Sequence, residues 1–194
     1  MNSNELTILA LVTLALVGLL AAIVLVTQKR NRQRSALLRE KFGPEYERAL
    51  AEHGDQARAE RELLSRQKRL DALDIHPLSD AQADQFGSAW ATVQQRFVDD
   101  PASAVSEADR LIKDVMNARG YPLGNFDQRV ADLSVEHSNV VSHYRSAREL
   151  ARAREQGQAG TEELRQAMVH YRALFSDMLR TEPSAQPLLQ GARA

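Results

Sequence analysis

The sequence predicts an all-α protein: an N-terminal single transmembrane helix, a charged helical stalk and then an antiparallel helical bundle. Three observations predict it. Residues 6–26 form an apolar run without a single charge, and at about 1.5 Å of rise per residue a helix of that length matches a hydrocarbon core roughly 30 Å thick. Downstream, apolar side chains recur at spacings of three and four, the period of a helix with one buried face. The remainder is rich in Ala, Leu, Arg, Glu and Gln and poor in aromatic and β-branched runs, which favours helix over strand.

A short tail, residues 1–5, precedes the span, which is assigned to residues 6–27. Lys29, Arg30, Arg32 and Arg34 follow at once, whereas the tail carries only Glu5 and the terminal amine. Positive charge beyond the span puts the C-terminal side in the cytoplasm and the N-terminus outside. A secretory signal peptide carries its positive charge ahead of a shorter apolar core and ends at an A-x-A-like site. This run does neither, so the span is expected to be retained. Gly18 and Ala22 form a small-xxx-small pair that lets two such helices approach closely, which admits a weak homodimer beside plain lipid packing. The four basic side chains suit anionic headgroups, and membrane lipids are the expected partners of residues 6–34.

Of 194 residues, 25 are Lys or Arg and 26 are Asp or Glu. So even a balance leaves no broad positive field, and no nucleic-acid partner is expected. Cysteine is absent, which excludes disulfide frameworks, thiolate metal sites, cysteine nucleophiles and Fe–S clusters. Without the anchor and a short C-terminal tail, about 150 residues remain, the size of one ordinary domain.

Residues 28–78 read as a basic juxtamembrane segment and helical stalk. Helix continues over 35–42 and breaks at Gly43-Pro44, because proline removes a donor and disfavours helix at the residue before it. Pro44 suits the first turn of a new helix, with Glu45 and Glu47 near its positive end and Gly54 as its cap. Over 55–73 a mostly charged helix carries Leu63, Leu64, Leu70 and Leu73. It leans on the domain by one edge or pairs weakly in a coiled coil; lacking sustained a and d heptads, it is read as a solvated, salt-bridged stalk.

The bundle is expected over 79–180. Ile75-His76-Pro77-Leu78 interrupts the helix, and Ser79, three residues before Gln82, gives a capping box. Ala83, Phe86, Trp90, Val93 and Phe97 then share one face. Asp100 caps the next helix and Pro101 opens it; Val105, Ala108, Leu111, Ile112, Val115 and Met116 mark its buried face, and Gly120 ends it. After the turn Tyr121-Pro122-Leu123-Gly124, Asn125 caps a long stripe of Phe126, Val130, Leu133, His137, Val140, Val141, Tyr144, Ala147 and Ala151. Ser134 and Ser138 can bend it by bonding to backbone carbonyls, so one bent helix or two are both allowed over 125–156. Residues 157–160 form a loop. Thr161 caps the last helix, Glu162 and Glu163 occupy its first turn, and Leu164, Met168, Tyr171, Leu174, Phe175 and Met178 face the core. Residues 181–194 are expected to be a disordered tail. Amphipathic helices joined by short loops prefer antiparallel neighbours, hence the bundle.

No catalytic, cofactor or metal residues are assigned. H-x-x-x-H and H-E-x-x-H are absent, so no two histidines share a helix face as metal ligands. A di-iron bundle needs E-x-x-H pairs, but Glu52-His53 and Glu136-His137 are adjacent and point apart on a helix. G-x-x-x-x-G-K-[ST], G-x-G-x-x-G and G-x-S-x-G are missing too. Two groups remain. Arg165, Gln166, His170 and Arg172, with Tyr171, form a polar patch suited to a protein contact. Trp90, Tyr121, His137 and Tyr144 are candidates for a pocket between bundle helices, although plain core accounts for them too.

Phe97-Val98-Asp99-Asp100-Pro101, Ala108-Asp109-Arg110-Leu111, Arg119-Gly120-Tyr121-Pro122 and Arg165-Gln166-Ala167-Met168-Val169-His170-Tyr171-Arg172-Ala173-Leu174-Phe175 resemble a group of uncharacterised bacterial proteins, many with one membrane span. The resemblance implies a helical protein of the bacterial inner membrane with no established activity, substrate or catalytic residues. The expected function is a non-catalytic interaction or scaffolding module at the cytoplasmic face, with an unidentified protein partner. The alternative is a ligand-binding sensor or cryptic enzyme using the interhelical pocket.

Overall fold

The structure, a computed structural model, describes residues 3–158 and 160–180, with the side chains of all but 3–13, 15, 17 and 155. Among these residues all regular structure is helical: α1 (Ser3–Phe42), α2 (Pro44–His53), α3 (Gln56–Leu70), α4 (Asp80–Asp99), α5 (Pro101–Ala118), α6 (Phe126–Glu136), α7 (Val141–Glu155) and α8 (Thr161–Arg180). The chain divides into two compact units, Met1–Glu40 and Lys41–Ala194.

In the first unit a single helix carries the apolar run and the basic cluster. Leu14, Leu16, Leu19, Leu20, Ile23, Val24, Leu25 and Val26 are all at least half exposed, so the helix is apolar on every described side rather than along one stripe. Lys29, Arg30, Arg32 and Arg34 are exposed as well. Among the described residues no helix is long and apolar enough to cross a membrane. The expected span begins at residue 6, and its side chains at 6–13, 15 and 17 lie outside those described.

The second unit begins where proline predicts a break. α1 ends at Phe42 and Pro44 opens α2, whose C-terminal Gly54 returns its N–H to the Leu50 carbonyl. Asp55 caps α3, accepting from Arg58 N at 2.9 Å, and the helix stops at Leu70, short of the expected Leu73.

The segment expected as a solvated stalk is divided. Residues 28–40 belong to the first unit, whereas α2 and α3 are packed into the second: Tyr46, Ala49, Ala59, Leu63 and Leu70 are buried, and α3 lies against α6. The physical reason is polar. Arg69 Nε donates to Asp132 Oδ1 at 2.9 Å, and Arg145 grips Glu45 with both terminal nitrogens, Nη2 to Oε2 at 2.8 Å. Apolar periodicity cannot register contacts completed by charged groups.

α4 has the expected capping box between Ser79 and Gln82, and Asp100 and Pro101 start α5 as anticipated. α4 packs along α5, α5 along α8, and α8 along α7. All six apolar positions expected on α5 and all six on α8 are buried. α4 differs: of its five stripe residues only Trp90 and Val93 are buried, while Ala83, Phe86 and Phe97 are half-covered. The 125–156 stripe resolves into two helices. Asn125 caps α6, and His137 leaves it at φ −116° and ψ 35°. Ser134 bonds back to Ala131 O, but Ser138 donates to Lys41 O at 3.1 Å, tying the break to the end of α1. Thr161 is the first residue of α8 rather than its cap; the Glu163 carboxylate takes the Gly160 N–H at 2.9 Å instead. Residues 1–2, Ala159 of the expected loop and the expected disordered tail at 181–194 lie outside the described residues.

Candidate functional site

The C-terminal half of α4 meets α8 at Trp90 and Phe97. Trp90 stacks on Phe175 with ring centroids 4.7 Å apart and planes 19° apart. Beside this stack lies an open cleft of about 140 Å³, with Gln94 and Phe97 on α4 and Arg165, Met168, Val169 and Arg172 on α8. Val169 is 54% exposed. Arg165 forks onto Glu162, Nε to Oε2 at 2.8 Å and Nη2 to Oε1 at 2.7 Å, and that bond holds the Glu162 carboxyl down at about 2. Gln166 also reaches Glu162 Oε1, at 3.3 Å.

The polar patch expected on α8 is thus only partly a patch. Arg165, Gln166 and Arg172 are exposed. Tyr171 is not: it is fully buried and donates to Asp109 Oδ1 at 3.2 Å, because position 171 belongs to the stripe that faces α5. His170 is half-buried toward α7, where its Nδ1 lies 2.8 Å from Nδ1 of His143. Burial, and then His143, pull the His170 imidazole below its ordinary pKa.

The four residues considered for a pocket are held in separate settings. Trp90 lines the cleft just described. Tyr121 is buried and donates to Glu136 Oε2 at 2.5 Å; burial and then the Glu136 charge push its phenol well above the usual range. His137 is buried with Nδ1 2.6 Å from Asp177 Oδ2, and this bond holds the Asp177 carboxyl below the usual carboxylate range. Tyr144 accepts from Arg129 Nε at 3.1 Å and packs on Phe126 and Tyr171. Tyr121 and His137 do approach, at 6.3 Å between ring centroids. Glu136 bonds Tyr121, and Asp177, on a different helix, holds the His137 imidazole.

Behind these contacts runs a buried charge network that spacing in the sequence did not reveal. Arg119 is fully buried, with Nη1 donating to Met178 O at 2.6 Å and Nη2 3.9 Å from Glu136 Oε2. Asp132, also fully buried, takes Arg69 and Gln128 on one oxygen. Asp109 joins Tyr171 to Lys113, whose Nζ is 2.5 Å away. These groups cross-link helices, as buried charges must be paired to be tolerated. Among the described residues no group of three or more His, Asp or Glu side chains is placed to hold a metal ion. The one signal that pointed inward was helical phase: Asp109, Asp132 and Tyr171 each fall on a buried face. Comparison with family models, curated proteins and solved structures finds no match to this chain.

Proposed function

We propose that the chain is a single-pass, membrane-anchored helical protein whose cytoplasmic domain serves as a non-catalytic interaction or scaffolding module. Residues 6–27 are the anchor and Lys29, Arg30, Arg32 and Arg34 meet anionic headgroups, with the N-terminus outside a bacterial inner membrane. Two features support the anchor: the uncharged run itself and a helix whose described apolar side chains find no cover. A weak homodimer through Gly18 and Ala22 fits the same reading.

The observation that carries the interaction role is the cleft between α4 and α8. An apolar stripe with three of five members only half-covered, next to Val169 and flanked by Arg165 and Arg172, offers desolvatable surface with charged rims. A photoreactive residue at Val169 should capture a discrete protein in cells, and one at exposed Arg61 on α3 should not. Equal labelling from both positions, or no adduct above an anchor-only control, overturns the reading. A reporter fused to the C-terminus checks topology: it should be active only inside the cell.

A further inference from the structure

The cleft between α4 and α8 is a groove between antiparallel helices. Trp90 stacks on Phe175, while Asp99 at the end of α4 shares a second hollow with Thr161 at the start of α8. From Trp90 to Phe97 the cleft follows α4 for two helical turns, about 10 Å. Its volume of about 140 Å³ falls short of the roughly 300–1,000 Å³ of small-molecule sites. It is therefore the seat of one large side chain rather than of a whole ligand.

Which kind of chain brings that side chain follows from the walls. They are the sides of two helices, whose backbone donors and acceptors are already bonded within each helix. An extended peptide docks by adding to a sheet edge, and the described residues hold no strand. A helix satisfies its own backbone and needs only side chains to lie in such a groove.

The charges then select its sign. The cleft lining contains two guanidiniums and no carboxylate. Arg165 lies four residues before the exposed Val169 and Arg172 three after it, so one cation stands about a turn to either side. Arg172 is exposed and is paired with no carboxylate among the described residues. Arg165 is forked onto Glu162, but both side chains are more than half exposed, and a surface pair of this kind contributes little, so its guanidinium can be shared.

We propose that this cleft receives an acidic amphipathic helix of another protein, which seats one bulky apolar side chain between Phe97 and Val169 and sets carboxylates, a turn to either side of it, on Arg165 and Arg172. The proposal rests on the interaction role given to the cleft above and names the chemistry of the partner.

The test places a photoreactive residue at Val169 of the full chain in cells and identifies the cross-linked peptide by mass spectrometry. The expected peptide comes from another protein and carries Asp or Glu three or four residues from the attached apolar side chain. Arg172→Glu should cut the adduct yield at least about tenfold, since like charges then oppose each other. Arg172→Lys should keep most of the yield, and Arg61→Glu on α3 all of it. Because Arg172 is exposed, the melting temperatures of its variants should match that of the natural chain. An adduct yield unchanged in Arg172→Glu leaves the interaction role standing and overturns the acidic helix. A cross-linked peptide that is basic, or that belongs to residues 181–194 or to a second copy, overturns it too, as does an adduct to phospholipid. No adduct from the natural chain removes both readings.

Discussion

Gly120 shows what a single residue can decide in this chain. Its φ is +89°, and a Cβ there would run into the carbonyl oxygen of Asp74. Gly54, at φ +65°, has open space around it. Gly54→Ala should therefore cost only the left-handed penalty, about 1–2 kcal/mol, whereas Gly120→Ala adds a backbone collision and should cost about 2–4 kcal/mol. Urea denaturation of both variants measures the gap, and equal losses would show that the Asp74 contact is unimportant. Arg119 is the other decisive residue. Replacing it with Met strips the hydrogen bond from Met178 O and removes the guanidinium beside the Glu136 carboxylate. Loss of one partner from a buried pair costs about 3–5 kcal/mol, while Tyr121→Phe should cost about 0.5–1.5 kcal/mol. The order of the two melting-point losses checks which group anchors the carboxylate.

At the scale of elements, α8 carries three different faces. Leu174, Phe175 and Met178 face the core, Arg165, Val169 and Arg172 face outward, and a third face carries His170 against α7 and Asp177 against His137 at the end of α6. That third face makes the contact sensitive to pH in two windows. The Asp177 carboxyl is depressed by its bond to His137, so its contribution is complete above the ordinary carboxylate value of about 3.9 and is lost as pH falls through the lower folded value. His170 is depressed from the ordinary imidazole value of about 6.5. Below that value the unfolded chain binds more protons than the folded one, so stability declines as pH falls from there. His170→Gln should flatten the decline that begins as pH falls below about 6.5, and Asp177→Asn should flatten only the loss below about pH 4. Thermal melts across pH read both; a decline unchanged by either variant would mean that other groups control it.

At the scale of the whole second unit, charge joins what hydrophobic periodicity leaves apart. Glu45 on α2 and Arg145 on α7 are 100 residues apart and form a forked pair, with Arg66 3.9 Å from the same carboxylate and also donating to Ser134 at 3.4 Å. Arg145→Met should destabilise the unit by about 3–5 kcal/mol, because Glu45 is then left buried with Arg66 alone. Adding Glu45→Gln should recover part of that loss, since the uncompensated charge is gone. A double-mutant cycle by chemical denaturation measures the coupling; strictly additive losses would mean the pair does not hold α2 to α7.

What the sequence determined by itself is local. The capping box at Ser79, the caps at Asp100 and Asn125, the proline starts at Pro44 and Pro101, and the full apolar stripes of α5 and α8 all act within one or two helical turns, so spacing displays them. Tertiary structure alone decided that α2 and α3 belong to the folded unit and that the stripe over 125–156 breaks at His137. It also brought His137 to Asp177, Arg69 to Asp132 and His143 to His170. Charged and polar pairs between distant helices carry no period in the sequence. They depend on which helix faces meet, and that is set only when the whole unit packs.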